Sequence, residues 1–189
     1  MEGLHYIHST FHGIGWLNNI FKFITYLGDI GFVWLVMAFV LLFFKKTRKG
    51  AIIMIVSLAV GYVFNNLLLK LLFDRARPFT VNEEFKQFIL SLKMELPDGN
   101  SFPSGHAFSS FLCAMLLCFY NKKLGFITFP LAFLISLSRI YLCVHYPTDV
   151  LAGAVIGIVF AVNMYYLSEF IIKKYKARKR QSARNNVQD

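Results

Sequence analysis

AIIMIVSLAVGYVFNNLLL, residues 51–69, runs for 19 positions without a charge. At 1.5 Å per residue, about 20 helical residues cross a ~30 Å hydrocarbon core, so an uncharged stretch of 18 or more reads as a membrane-spanning helix. VLAGAVIGIVFAVNMYYLS, residues 150–168, is a second run of the same length. A soluble core accommodates one such helix and explains several poorly. The whole chain agrees. Its 189 residues are 57% hydrophobic, 17% aromatic and only 16% charged, where soluble chains carry about a quarter charged. Mean hydropathy is +0.54.

Outward from these two runs, the pattern predicts an all-α membrane bundle of five spanning helices, at about residues 19–44, 50–72, 105–120, 124–142 and 148–173. Pro130 is expected to kink the fourth. Residues 1–18, mixed and aromatic-rich, suit an interfacial N-terminal segment. Residues 19–173 then form the membrane-embedded body, and 174–189 a basic, frayed tail. No positive n-region with a cleavage site opens the chain, so no cleaved signal peptide is expected.

The net charge of +10 raises nucleic acid as a partner, but the cations cluster at the ends of apolar runs and no aromatic-plus-basic binding motif is present. Lys45, Lys46, Arg48 and Lys49 follow the first span, and Lys122 and Lys123 follow the third. Lys173, Lys174, Lys176, Arg178, Lys179, Arg180 and Arg184 follow the fifth. These thirteen of the 20 cations share one side in a five-span arrangement, which the positive-inside rule makes cytoplasmic. The other side receives the N-terminus, loop 73–104 and the 143–148 turn. The three cysteines, Cys113, Cys118 and Cys143, lie in apolar segments without disulfide or zinc spacing and read as small buried hydrophobes.

The non-cytoplasmic side gathers Lys70, Arg77-Pro78, Pro103-Ser104-Gly105-His106, Ser138-Arg139 and His145-Tyr-Pro-Thr-Asp149 at one membrane depth. Polar clusters bordering hydrocarbon are costly and mark function by default. Three cations suffice for a phosphate dianion, and arginine adds planar bidentate donors. Ser104-Gly105-His106 opens a helix, where free N–H groups favour an anion. Two histidines allow one nucleophile and one general acid, and Asp149, four residues after His145, is within reach to orient that ring.

Lys70-x6-Arg77-Pro78, Pro103-Ser104-Gly105-His106 and Ser138-Arg139-x5-His145-x3-Asp149 resemble the three motifs of the type 2 phosphatidic acid phosphatase superfamily, which includes the vanadium haloperoxidases. The resemblance spans about residues 20–172. Each motif alone is weak; three in order at matching depths are specific. The resemblance implies that His145 attacks phosphorus to form a phosphohistidine, supported by Asp149, and that His106 protonates the leaving oxygen. It assigns Lys70, Arg77, Ser104, Gly105 and Arg139 to the phosphate, and it implies no metal or other cofactor. It implies a lipid phosphate substrate and a plasma-membrane enzyme, whose site the cation clusters turn outward. The small size and lack of extra domains are similar to bacterial undecaprenyl-diphosphate phosphatases, with phosphatidylglycerophosphate or phosphatidic acid hydrolysis as the nearest alternative. Bacterial members often have six spans, and here the first is reduced to residues 1–18. From other classes stand a lipid-binding or transport protein with a dead site, opposed by the intact His106, His145 and Asp149, and a soluble haloperoxidase-like enzyme, opposed by the apolar runs.

Other features have plainer readings. Lys70, Arg77 and Arg139 could be cations snorkelling from helix ends. Ser104 could be an N-cap and Asp149 a dipole partner. His5, His8 and His12 share one helical face, read as an interfacial polar face in preference to a metal site. Gly153-x3-Gly157 allows close helix packing, expected within the chain. Asn65 and Asn66 are expected to bond between helices, Arg75 to reach a substrate headgroup, and residues 83–93 to form an amphipathic helix that could gate the site.

Overall fold

The computed structural model describes residues 2–185, and among these the regular structure is helical throughout. Helices α1 (Glu2–Phe11) and α2 (Gly15–Gly28) are followed by a single turn at Asp29–Gly31 and by α3 (Phe32–Leu42). The long α4 (Arg48–Leu72) widens to π-helical geometry over Val63–Leu69. Two short helices, α5 (Pro78–Val81) and α6 (Glu83–Ser91), occupy the long loop. Helices α7 (Gly105–Tyr120), α8 (Lys122–Tyr141) and α9 (Pro147–Asn185) complete the chain.

Four stretches are long and apolar enough to cross a membrane: Gly15–Leu42, Arg48–Leu72, Lys122–Tyr141 and Pro147–Ser182. The fifth, α7, has the expected limits, but at 16 residues it is only ~24 Å long. It compensates by position. Helix α7 is the central element, packed against α4, α8 and α9, so its polar ends need not reach bulk water across lipid. The outer helices carry the apolar surface instead. Phe39, Val60, Phe126, Val155, Val159 and Phe170 are all exposed, a belt far larger than a soluble monomer presents and one that a bilayer covers.

Small residues bring α9 onto α7. A Cβ at Gly153 would stand 2.5 Å from the Ser104 carbonyl oxygen, and one at Gly157 would be closer still to that of Phe108. The Gly-x3-Gly seam is therefore an intrachain contact, as its small-residue pattern suggested. Trp34 of α3 donates to Ser110 Oγ of α7 at 3.1 Å, a buried interhelical bond.

Several boundaries and contacts differ from the sequence reading. The first span starts at Gly15 rather than near 19 and is interrupted at Asp29–Gly31, where Ile30 (φ +54°) and Gly31 (φ +72°) take left-handed backbone. Pro130, expected to kink the fourth span, lies within α8. The tail expected to be frayed continues α9 to Asn185; residues 186–189 lie outside the described residues. Of the N-terminal histidines His12 is buried, His8 half-buried and His5 exposed. His5 and His8 pack on Phe85, while His12 stacks on Phe88 at 3.5 Å and bonds the Tyr141 carbonyl at 2.7 Å. Their partners Phe85, Phe88 and Ile89 form the apolar face of α6, which Asn82 caps by accepting the Phe85 N–H at 3.1 Å. Helix α6 is thereby docked on the N-terminal segment.

The cation-rich segments converge on the end opposite the motif residues. Lys49 pairs with Glu169, its ammonium lies 5.6 Å from the centre of the Tyr120 ring, and Tyr120 bonds Ser168 and Glu169. The segments after α3, α7 and the apolar part of α9 therefore meet at one level.

Candidate active site

Each motif residue is placed by the end of a helix. Lys70 closes α4, and Arg77 precedes the Pro78 that starts α5. Gly105 and His106 open α7, Arg139 lies in the last turn of α8, and Asp149 lies in the first turn of α9. Loop 97–101 is sewn to the Lys70–Arg77 segment: Asn100 donates to the Lys70 carbonyl at 2.9 Å, and Ser101 N–H to that of Arg75 at 2.8 Å. The Arg77 guanidinium donates to the carbonyls of Gly99 (2.9 Å) and Asp98 (3.0 Å). These bonds fix a planar fork that would otherwise sample many rotamers.

A cavity of about 900 Å³ is lined at one end by Lys70, Arg77, Gly105, His106, Arg139 and His145. Leu35, Ile55, Leu58, Ala59 and Tyr62 line the rest, between α3 and α4. Six of the eight residues singled out in the sequence thus share one wall. Ser104 and Asp149 stand behind it, joined by a Ser104 N–H to Asp149 C=O bond of 3.0 Å. Ser104 does not cap α7 through its side chain; its hydroxyl is buried and without a hydrogen-bond partner among the described residues, as is Arg139 Nε. Buried donors left over in this way are rare and mark a binding role.

His145 is almost wholly buried. Its Nε2 lies 3.3 Å from Arg77 Nη1, and its Nδ1 lies 3.5 Å from Asp149 Oδ2. Burial holds its imidazole well below the ordinary histidine range; the Arg139 and Arg77 guanidiniums act in the same direction, and Asp149 opposes them. The ring is therefore neutral near pH 7, the form in which a nitrogen lone pair is available. The Asp149 contact is longer than a good hydrogen bond. Its carboxylate is otherwise engaged: Oδ2 accepts from Tyr146 N–H at 2.8 Å and from the Ser101 hydroxyl, while Oδ1 accepts from Arg75 Nη1 at 2.6 Å.

Arg75 was expected to reach a headgroup. It instead clamps Asp149 and Thr148 (2.7 Å) and lies 4.1 Å from the centre of the Tyr146 ring. Asn65 and Asn66, expected to bond between helices, both line the cavity and approach each other at 3.5 Å. Both lie in the π-helical segment, a geometry that recurs at functional sites. Asp29 was missed altogether: its Oδ1 lies 2.8 Å from His106 Nε2. A lone carboxylate inside an apolar run was the signal that could have found it.

The site can hold a tetrahedral anion between three cations and the α7 N-terminus, with one buried histidine facing it and a second histidine opposite an apolar groove. Comparison with known proteins agrees with that chemistry. A family model described as the PAP2 superfamily matches residues 50–173. An undecaprenyl-diphosphatase of Sulfolobus acidocaldarius is 34% identical over 78% of this chain and 69% of its own length. The undecaprenyl-diphosphatase BcrC of Bacillus subtilis is 27% identical over 87% of this chain and 82% of its own. The crystal structure of a transmembrane PAP2 type phosphatidylglycerolphosphate phosphatase from Bacillus subtilis shares the fold, with a TM-score of 0.66 over 90% of this chain and 86% of that one, at 24% identity.

Proposed function

Because the chain belongs to the PAP2 superfamily, and is thus an integral membrane phosphatase acting on lipid phosphates, we propose that it removes the terminal phosphate of undecaprenyl diphosphate through a phosphohistidine on His145. The observation that carries this reading is the His145 imidazole, neutral and buried, with Nε2 beside Arg77 on the cavity wall. Nε2 attacks phosphorus as the bond to the leaving oxygen breaks, and His106 gives that oxygen its proton. Water then attacks the phosphohistidine, returns a proton to His106, breaks the N–P bond and frees inorganic phosphate. Lys70, Arg77 and Arg139, with the Ser104 hydroxyl and Gly105 N–H, neutralise the transferring group, whose charge rests on its equatorial oxygens. Three fixed cations do here what a metal ion does elsewhere, so a chelator is expected to leave turnover unchanged. Asp149 steadies the His145 imidazolium as charge develops, its contact shortening from 3.5 Å.

The apolar end of the cavity favours a hydrocarbon tail, and the undecaprenyl carrier comes from the relatives' names. Phosphatidylglycerophosphate and phosphatidic acid present the same terminal phosphate and are the alternatives. The test is phosphate release from all three lipids, with and without chelator, by wild type and His145→Ala. Undecaprenyl diphosphate should be fastest, and His145→Ala should lose all turnover while remaining folded in detergent. Near-normal release by His145→Ala refutes the mechanism, and a faster glycerophospholipid refutes the substrate.

We place the site on the outer face of the plasma membrane and the thirteen clustered cations in the cytoplasm, with residues 1–18 as an interfacial segment and 174–189 as a cytoplasmic tail. Cysteines introduced into loop 73–104 should react with an impermeant thiol reagent in intact cells. Protection there, with labelling at the tail, reverses the orientation.

A further inference from the structure

Asp29 sits where the first membrane stretch breaks. The turn at Asp29–Gly31 places Ile30, a β-branched residue, at φ +54°, a conformation costing on the order of 1–3 kcal/mol and kept only where the surroundings demand it. The break serves His106 in two ways. It brings Asp29 Oδ1 to 2.8 Å from the ring's Nε2. It also lays the Gly28 backbone against the ring, since a Cβ at Gly28 would stand 2.6 Å from His106 Cδ2. The other histidine has its own carboxylate four residues along the chain; His106 draws one from an element outside the residues matched by the family model.

We propose that Asp29 is a positioning residue for the general acid: it accepts one N–H of the His106 imidazolium and aims the other at the leaving oxygen. The inference rests on the reading of His106 as that acid. As the P–O bond breaks, its electron pair stays on the leaving oxygen, which takes the His106 proton. The neutral imidazole, still held by Asp29, is then set to accept a proton from the hydrolytic water.

The experiment compares two substrates on the full chain in detergent. p-Nitrophenyl phosphate expels a stabilised phenolate that needs no proton; a long-chain alkyl monophosphate expels an alkoxide that does. In single-turnover phosphorylation of the enzyme, which precedes the phosphohistidine hydrolysis that both substrates share, Asp29→Asn should lower the alkyl-to-aryl rate ratio about 10- to 100-fold. Asp29→Glu should restore the ratio. His106→Ala should show the same selective loss, and the double variant should fall no further. The ratio is read on one preparation, so it does not depend on the fraction folded. Equal loss on both substrates, or none, overturns the role of Asp29. A selective loss in Asp29→Asn that His106→Ala does not share overturns the pairing, and wild-type rates in His145→Ala remove the reading beneath it.

Discussion

Gly153→Ala should damage catalysis from a position that touches no substrate. The added Cβ would stand 2.5 Å from the Ser104 carbonyl oxygen, 3.2 Å from Ala107 Cβ and 3.3 Å from Phe108 N. Carbon–oxygen contacts settle near 3.3 Å, so the start of α7 must move from α9 by about 0.8 Å. Backbone, not a flexible side-chain tip, has to yield. Overpacking of this kind costs about 1–3 kcal/mol. The movement also falls where it matters: Ser104 N–H is bonded to the Asp149 carbonyl, and His106 lies two residues on. A displacement near 1 Å in a catalytic array costs roughly 100-fold in rate, so kcat should drop about 10- to 100-fold alongside a lower Tm. Gly157→Ala meets the Phe108 carbonyl one turn deeper. It should lower Tm comparably while sparing more of kcat. Gly13→Ala, with nothing within 4 Å, is the control. Thermal unfolding in detergent and kcat on a lipid phosphate give both quantities. Unchanged kcat in Gly153→Ala, or equal kcat losses in the two seam variants, would refute the displacement reasoning.

Two other perturbations probe the surroundings of the site. Arg75→Ala removes the guanidinium that holds Asp149 Oδ1 and should lower kcat about 10-fold, roughly 1.4 kcal/mol, without raising KM, since a charge-assisted bond behind the nucleophile is lost rather than a substrate contact; a raised KM with normal kcat would restore a headgroup role. His12 is pushed down to about 4 mainly by burial, partly offset by its bond to the Tyr141 carbonyl and lowered further by His8. The unfolded chain binds a proton near pH 6.5 that the native ring refuses until about 4, so stability is full above that window and falls through it on acidification, by at most about 3 kcal/mol. Tm measured from pH 7 to 4.5 should fall less steeply in His12→Phe, and parallel slopes would exclude His12 as a source.

The membrane helices were legible because hydrocarbon imposes long uncharged runs, and α7, expected at about 105–120, spans Gly105–Tyr120. The polar wall was legible because polar residues at helix ends in an apolar chain have few other uses. Most of what escaped was tertiary. The left-handed turn at Ile30–Gly31 went unread because the apolar run beyond it continues the helical pattern, although Gly28-Asp29 and Gly31 are turn residues. The burial of His12 depends on Phe88, some 75 residues away. Arg75 faces Asp149 only once loop and α9 are assembled, and Asn65 and Asn66 line a cavity only once α3, α7 and loop residues close it.

The enclosure of α7 by longer helices separates two demands that most membrane enzymes must meet with the same elements. Bilayers differ in thickness, and a helix touching lipid must tilt or drag the lipid with it when its apolar length does not match. Here that adjustment falls on the outer helices, two of them at 25 and 36 residues, while every residue of the 16-residue helix that carries Gly105 and His106 is buried or half-buried. The catalytic end of α7 is thereby shielded from hydrophobic mismatch, and the same site geometry can persist as the surrounding membrane thins, thickens or changes composition.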